Sequence, residues 1–491
     1  MDLLPMAYVD LLPMAYEAMT EAGFITRPNQ EVQRESQTSA NAGSGSLTDD
    51  SIRDLRGLLW SSIDNPESRD LDQVEVAQRE DDGSIRLLVG IADVDAFVPK
   101  DSATDRSAYH NTTSVYTGVH TFPMLPVQLS EDRTSLLQGE DHLAVVVDLT
   151  VDVTGAIIAR SVYRALVHNH AKLTYEAVGT WLEDTSVGLP GSDLLPGLSE
   201  QIQLQNEAAQ HLLGLRRKSG ALDFETIEAT PVVVDGKVMD LRVAPKNQAR
   251  YLIENFMVAV NNTVAEYLQQ QGAISIQRVV RTPERWNRIA AIAQSLGATL
   301  PAEADSRALA AFLADRRAAD PVHFPDLSLS IVKLLGAGEY TVVHKGAVEE
   351  GHFGLAVEGY THSTAPNRRY ADLVTQRLLK AVQDSAPAPY TEEELVAIAA
   401  RCTERANAAR KVERRMRKAA AAVLLRQRIG ETFDALVTGA SGKGVFVRLL
   451  APPAEGRIMR GIQGLDVGDA VHVRLLSADP VTGFIDFETV P

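Results

Sequence analysis

The sequence contains 491 residues, of which 45% are hydrophobic, and its formal net charge is −17. This length predicts two or three domains, and the hydrophobic content excludes a disordered chain. The net charge argues against a surface that coats nucleic acid throughout, although a local basic channel is compatible with it. Because Cys402 is the single cysteine, a disulfide framework and a cysteine-rich zinc site are excluded. The chain lacks a basic leader and a bilayer-spanning apolar run, so we expect a cytoplasmic protein with no membrane partner.

The first 55 residues predict a small, mostly helical region, for which a helix-turn-helix is one arrangement. Within it, the stretch EVQRESQTSANAGSGSLTDD is polar and rich in small residues. This composition predicts a flexible linker at about residues 31–48. A helix is expected to follow near DSIRDLRGLLW, where the next domain begins at about residue 56.

An acidic stretch, SSIDNPESRDLDQVEVAQ, comes next and places three aspartates around a proline. One interpretation is a solvated acidic turn, since Asp and Asn favour turns and the chain is acid-rich. The other is a cation site, because Asp70 and Asp72 point to one face of an extended segment and the turn at Pro66 can bring Asp64 beside them. Such oxygen ligands suit Mg²⁺, with Mn²⁺ as a substitute.

A basic segment at residues 401–428 contains ten Lys or Arg against two Glu, a balance of +8. It is rich in helix formers and has no Gly or Pro, which predicts a long helix. Two interpretations stay open for its charge: a solvated helix face, and a surface that contacts the phosphates of a nucleic acid.

The C-terminal segment, residues 428–491, has short alternating stretches separated by Gly, Pro and Asp turns, which predicts a small β-barrel. Phe433 and Phe446 fall in its first two strands. Their rings can offer a stacking surface for bases, but phenylalanines in barrel strands are at least as often core residues.

Several of these stretches together resemble a known family. From Gly430 onward, GETFDALVTG, GVFVRLL and GLDVGDAVHVRLLSAD resemble an S1-like OB fold. The acidic stretch is followed in order by LLVGIADVDAF, HAKLTYEAV, SGALDFETIE, YLIENFMVAVNN and YTHSTAPNRRYADLVTQRLLKAV. This series resembles the RNB catalytic domain of the ribonuclease II family.

The resemblance implies an α+β multidomain protein with a helical N-terminal region, an RNB catalytic domain at residues 56–427 and an S1-like OB-fold barrel at residues 428–491. It also implies an activity, the processive and Mg²⁺-dependent 3′→5′ hydrolysis of single-stranded RNA with a free 3′ end. Nucleoside 5′-monophosphates would be the products. We expect the protein to act as a monomer.

The resemblance places Asp64, Asp70 and Asp72 on three of the family's four acidic metal positions. Gln73 stands at the fourth, where its amide can still ligate or orient water but brings no charge, so we expect weaker affinity for one cation. Together these residues would hold two cations that activate a water for in-line attack on the last phosphodiester.

Arg368, in PNRRYAD, matches the family's catalytic-pocket arginine, whose planar fork suits the scissile phosphate as charge builds up. Arg369 follows it as the weaker candidate, and Glu413 in the basic segment matches a family glutamate near the site. The motif YTHSTAPNRRY departs from the family pattern at three positions, Ser363, Ala365 and Asn367.

Four further residues match positions that recognise the substrate. Tyr116 and Phe224 match rings that clamp the stacked 3′-terminal bases, with core packing as the alternative. Tyr175 and Glu254 match positions that sense the ribose, where a hydrogen bond to the 2′-OH distinguishes RNA from DNA.

Two functions are therefore compatible with the sequence. The first is a hydrolytic exoribonuclease whose catalytic centre lies at the bottom of a narrow channel. The second is an RNB-type RNA-binding protein whose cleavage is lost or very slow, and Gln73 is the feature in its favour.

Overall fold

The computed structural model describes residues 10–41, 51–225, 227, 229–234, 236–243, 246–346, 351–441 and 444–490. The helices are α1 (Leu11–Glu21), α2 (Gln30–Asn41), α3 (Ala103–Asn111), α4 (Tyr175–Glu183), α5 (Leu198–Ser219), α6 (Gln248–Gln270), α7 (Trp286–Ser295), α8 (Ser306–Ala319), α9 (Phe324–Leu335), α10 (Tyr370–Gln383) and α11 (Glu392–Leu425). The strands that precede α4 are β1 (Arg53–Asp54), β2 (Trp60–Asp64), β3 (Gln73–Arg79), β4 (Ile85–Ala92), β5 (Val115–Tyr116), β6 (Thr121–Phe122), β7 (Asp141–Val151) and β8 (Ile157–Thr174). The later strands are β9 (Ala229–Val234), β10 (Lys237–Val243), β11 (Ser275–Val279), β12 (Glu339–Val343), β13 (Thr432–Ser441), β14 (Gly444–Leu449), β15 (Glu455–Arg460), β16 (Ala470–Asp479) and β17 (Phe484–Val490).

The N-terminal region is helical, as predicted, but the predicted linker is wrong at residues 31–41, because α2 occupies them. The side chain of Asn29 accepts a hydrogen bond from the main-chain N of Val32 at 2.9 Å, a cap that helps a polar segment to start a helix. Residues 42–48 of the linker lie outside the described residues. The helix predicted near DSIRDLRGLLW is also wrong, since β1, a turn and β2 occupy that stretch.

A six-stranded sheet in the order β1-β8-β2-β3-β4-β7 forms the centre of the molecule. The 18-residue strand β8 pairs antiparallel with β7 along residues 157–168 and parallel with β2 along residues 169–174, so the sheet returns on itself. Trp60 and Ile63 of β2 are completely buried in the core beneath it. The ends of β2 and β3 are thereby held side by side, which positions the acidic stretch.

Helices surround this sheet, and the longest of them, α11, has 34 residues. The predicted basic helix is therefore confirmed as far as Leu425. Its apolar side packs against α1, where Met416 and Val412 contact a cluster that includes Met19 and Leu11. At its C-terminal end, α11 contributes Leu425 to the core of the barrel that follows.

The C-terminal segment forms a closed barrel of five strands in the order β13-β14-β15-β17-β16. A buried ion pair attaches the barrel to α9, because Arg448 Nη2 donates to Asp326 Oδ2 at 2.8 Å. The predicted α+β architecture with a C-terminal barrel is confirmed. Among the helices in the described ranges, none is long and apolar enough to cross a membrane.

Candidate active site

A polar cavity of about 500 Å³ lies where the ends of β2 and β3 meet α6. Most residues predicted for catalysis and ribose recognition are on its wall, although they come from distant parts of the chain. The cavity is lined by Asp64, Asn65, Ser68, Asp70, Gln73, Tyr116, Tyr175, Lys246, Arg250, Ile253, Glu254, Met257, Asn261, Tyr360, Thr364, Arg368 and Arg369.

The acidic stretch reaches this cavity because it connects two adjacent strands of the sheet. Asp64 is the last residue of β2, and Gln73 is the first residue of β3. The turn between them is closed by Ser68, whose hydroxyl donates to Asp64 Oδ1 at 2.9 Å. This turn brings Asp64, Asp70 and Gln73 to one wall, but Asp72, which was predicted to share a face with Asp70, is not on it.

Asp72 has a different environment, because it is 2% exposed and faces the loop before α10. Its Oδ2 accepts from Arg368 Nε at 2.9 Å, and its Oδ1 accepts from the main-chain N of Asn367 at 3.2 Å. Burial raises the pKa of the Asp72 carboxyl to about 7, although the charge of Arg368 opposes the shift. Burial also raises the pKa of Asp64.

The donor set at the cavity suits a hard divalent cation. In the described ranges, no three side chains of His, Cys, Asp or Glu converge as a complete set of metal ligands. Because Asp72 is turned towards Arg368, the cavity offers the carboxylates of Asp64 and Asp70 and the amide of Gln73. Such a set fits Mg²⁺, which binds through one or two carboxylates and keeps several waters.

Three residues that depart from the family pattern lie in the loop before α10, which we call the arginine loop, and each takes part in hydrogen bonds. Ser363 donates its main-chain N and its hydroxyl to Asn261 Oδ1, at 2.8 and 2.9 Å. The amide oxygen of Asn367 accepts from the Thr134 hydroxyl. At Ala365, the main-chain N donates to an oxygen of Asp372 at 2.8 Å. The loop is therefore fixed by polar contacts that these substituted residues themselves supply.

The arginine pair divides its contacts between two carboxylates. Arg368 bonds to Asp72, whereas Arg369 Nη2 donates to Asp372 Oδ1 at 2.7 Å. Arg368 is thereby tied to the acidic stretch, and Arg369 is tied to the first turn of α10.

Tyr116 lies between the acidic stretch and the long helix. Its hydroxyl donates to Asp70 Oδ2 at 3.1 Å, and its main-chain N donates to Glu413 Oε1 at 3.1 Å. With 42% of its surface exposed, the ring offers a free face, as a base-stacking residue requires. Glu413 does not line this cavity, and it approaches the site through its hydrogen bond to Tyr116.

The two predicted ribose-sensing residues both line the cavity and both have cationic neighbours. The guanidinium carbon of Arg250 lies 4.4 Å from the centre of the Tyr175 ring. Lys246 Nζ lies 2.8 Å from Glu254 Oε2, so the acid has the partner that its position in an apolar helix requires. Glu254 nevertheless keeps 37% of its side chain exposed.

The structure separates the predicted phenylalanines. Phe224 packs against the cluster around Trp286 and does not line the catalytic cavity, so it is not brought to Tyr116. Phe433 is 5% exposed in the barrel core, and its predicted stacking role is wrong because its ring points inwards. Phe446, on β14, is 40% exposed and keeps an accessible ring.

The sequence reading missed Glu75, a completely buried acid two residues after Gln73 on β3. It lies opposite Ser61 on β2, and neither of its carboxylate oxygens has a hydrogen-bond partner in the described structure. Burial, and then the charge of Asp64, raise the pKa of the Glu75 carboxyl well above its usual value. An acid between two valines, Val74 and Val76, was the available signal.

On α6, the sequence-based predictions included Glu254 but missed the other residues of the stripe that lines the cavity. Arg250, Glu254, Met257 and Asn261 line the cavity at intervals of three and four residues, which is the spacing of one helix face. Polar residues at this spacing in a largely apolar helix were the signal that would have identified the stripe.

The basic residues of α11 do not form a single solvated face. Arg405 is buried and donates to the main-chain oxygen of Ala22 at 2.8 Å, and Arg415 pairs with Glu21 at 2.5 Å. Two others, Lys411 and Arg414, are exposed. Part of the basic charge thus fastens the N-terminal helices, and part remains on the surface.

Comparisons with known proteins agree with this geometry. Residues 52–385 match the RNB domain family, and residues 431–490 match the RNase II-type exonuclease C-terminal S1 domain. Ribonuclease R 1 of Lactococcus lactis is 28% identical over 469 residues, which cover 89% of this chain. The chain spans 56% of the length of that relative.

Two solved structures share the fold. Mycoplasma genitalium RNase R in complex with ribose methylated single-stranded RNA has a TM-score of 0.87 and 23% identity, covering 98% of this chain and 78% of its own. Yeast Ssd1, a pseudonuclease, has a TM-score of 0.70 and 19% identity, covering 90% of this chain and 55% of its own. The fold thus occurs in a nuclease and in a pseudonuclease, and the site residues have to distinguish the two functions.

Proposed function

The chain belongs to the RNB domain family, and we propose that it is a 3′→5′ exoribonuclease that degrades single-stranded RNA to nucleoside 5′-monophosphates. The observation that carries this proposal is the ion pair of the buried Asp72 with the half-exposed Arg368, beside the cavity that Asp64 and Asp70 line. A polar cavity that joins carboxylates to an arginine fork can hold a cation and a phosphate together, as phosphodiester hydrolysis requires.

In this mechanism, Asp64, Asp70 and Gln73 would hold Mg²⁺, for which Mn²⁺ can substitute. When bound, the metal would supply Lewis-acid chemistry for the attacking water and for the leaving 3′ oxygen. Asp72 orients Arg368 through Nε, which leaves the rest of the guanidinium fork to contact the scissile phosphate. Because a guanidinium binds phosphate oxygens in two parallel hydrogen bonds, it stabilises the charge of the transition state.

The RNA would enter as a single strand with a free 3′ end. Tyr116 stacks on a terminal base, and Glu254, with Tyr175 beside it, contacts the ribose. The exposed ring of Phe446 on the barrel can contact bases further along the strand, which favours processive degradation. We expect the protein to act as a monomer.

Gln73 favours a second function, in which the protein binds RNA but cleaves it very slowly or not at all. An experiment has to distinguish this function from the nuclease. The test incubates single-stranded RNA, labelled at the 5′ end to follow shortening or uniformly to follow mononucleotides, with Mg²⁺ or Mn²⁺. We expect stepwise shortening and release of mononucleotides, with Asp72→Asn as the inactive control. If the native protein binds the RNA but releases no mononucleotide with either metal, the RNA-binding function replaces the nuclease.

A further inference from the structure

A second cavity, of about 460 Å³, adjoins the catalytic cavity. The two share Tyr116, Arg368 and Arg369 as a common wall. The rest of the second cavity is formed by residues 112–114, by His362 and by residues of β11, β12 and α11, which include one acid, Glu413. None of these residues has a place in the mechanism above. Its volume falls within the roughly 300–1,000 Å³ of small-molecule sites.

Four arginines line this second cavity, and two of them have no carboxylate partner in the described ranges. Arg278 lies against the Tyr340 ring, with its guanidinium carbon 4.7 Å from the ring centre. Arg410 donates to the main-chain oxygen of Ala406 and to Asn407 Oδ1. The other two, Arg368 and Arg369, are the paired arginines of the loop.

Buried hydrogen-bond donors without acceptors accompany this excess of positive charge. Arg278 Nη1 and Arg369 Nε are buried and have no partner among the described residues. Burial lowers the pKa of Arg278, and the charges of Arg410 and Arg369 lower it further. Unpaired buried donors and clustered like charges both cost free energy. An anion in the cavity would offset both costs.

We propose that the second cavity binds the phosphate of a nucleoside 5′-monophosphate as the product leaves the catalytic cavity. This inference rests on the proposed function, because it takes the released mononucleotide as the ligand. A phosphate monoester carries up to two negative charges and three strong acceptor oxygens. A chain phosphodiester carries one charge, so clustered guanidinium groups favour the monoester.

Isothermal titration calorimetry with 5′-AMP tests the site without requiring cleavage. Arg278→Gln and Arg410→Gln each remove one positive charge from residues that line only the second of these two cavities. Arg288→Gln, at an exposed position on α7, is the matched control for charge. Adenosine serves as the ligand without phosphate. A 5′-hydroxyl RNA hexamer, bound to proteins that also carry Asp72→Asn to prevent cleavage, reports on chain phosphates.

We expect the native protein and Arg288→Gln to bind 5′-AMP at least tenfold more tightly than adenosine. Each cavity variant should weaken 5′-AMP binding by about tenfold, the scale of one charge-assisted contact, and should change hexamer binding by less than about threefold. Thermal melting verifies that the variants fold. If Arg278→Gln does not fold, the exposed Arg410→Gln decides the question.

Two outcomes would overturn the inference. The first is unchanged 5′-AMP affinity in the folded cavity variants. The second is an equal loss of hexamer and 5′-AMP affinity, which would assign the arginines to the RNA chain. Both outcomes are independent of the nuclease assay, so a loss of the product site and a failure of the proposed function give different results.

Discussion

Asp72 and Arg368 are 296 positions apart in the chain and form a hydrogen-bonded ion pair at 2.9 Å. The carboxylate is 3% exposed, whereas the arginine side chain is 42% exposed. The pair therefore has a buried end that fixes its geometry and an open end that faces the cavities. This arrangement suits a group that must meet a phosphate in a defined orientation.

We expect Asp72→Asn to abolish turnover while RNA binding survives. Asparagine keeps the volume and an acceptor for the main-chain N of Asn367, but it removes the charge that orients Arg368. A loss of about 10²-fold or more corresponds to roughly 2.7 kcal/mol of transition-state stabilisation. Single-turnover cleavage and a filter-binding measurement of the RNA Kd check this. If the variant cleaves RNA normally, the interpretation of the aspartates as a solvated acidic turn would be the correct one.

Gln73→Asp should lower the Mg²⁺ concentration that gives half-maximal rate, because it adds a third carboxylate to the wall that holds Asp64 and Asp70. We expect a decrease of about tenfold, equivalent to roughly 1.4 kcal/mol of binding free energy. Added Mg²⁺ should also raise the Tm of the variant more than it raises the Tm of the native protein, since a cation that binds the folded state stabilises it. If the rate and the Tm depend on Mg²⁺ identically in the two proteins, residue 73 does not contribute to the cation site.

Glu254→Ala should narrow the preference for RNA over DNA more than it slows RNA cleavage. Glu254 lines the cavity with part of its side chain exposed, and a charge-assisted hydrogen bond to a 2′-OH is worth about 1.5–3 kcal/mol. The measurement is the ratio of cleavage rates for RNA and DNA of the same sequence. Glu225→Ala, at an exposed position that does not line the cavity, is the control. If the ratio stays constant, ribose recognition belongs to other residues, with Tyr175 as the next candidate.

The local spacing of the acidic residues allowed a cation site to be considered beside an acidic turn, and the family resemblance implied their metal role. Asp64, Asp70 and Asp72 lie on one short connection, and the sheet that holds its two ends is encoded by apolar strands. The partners of these residues could not be predicted from spacing, and Arg368 and Glu254 were named only on the family resemblance. Arg368 and the α6 stripe approach from segments almost 200 to 300 positions away, and single-sequence periodicity carries no information about which distant segments meet.

The alternation of apolar residues along the barrel strands could have distinguished the buried phenylalanine from the exposed one. Phe433 falls in phase with Ala435 and Val437, which are both buried, whereas Phe446 falls between the buried Val445 and Val447. The period of two along a strand thus separates an inward ring from an outward one. In contrast, α2 is too polar for its composition to distinguish it from a linker, and its cap at Asn29 was the only local signal.

The buried Glu75 makes a prediction about how stability depends on pH. Its folded-state pKa is raised well above the usual value, so the folded protein keeps the carboxyl protonated where the unfolded chain would ionise it. The stabilising contribution of this group is complete below about pH 4.5, the ordinary value, and is lost as the pH rises through the folded-state pKa. Glu75→Gln mimics the protonated acid in shape and cannot ionise.

We therefore expect the Tm of Glu75→Gln to equal that of the native protein near pH 4.5 and to exceed it increasingly as the pH rises towards 8. The melts are run in a chelator, so that no cation contributes. Glu80→Gln, at an exposed position just beyond the end of β3, is the matched control and should follow the native curve at every pH. A constant difference in Tm between Glu75→Gln and the native protein across this range would mean that Glu75 does not titrate as a buried, unpaired acid, because only a change of protonation on unfolding makes the difference depend on pH.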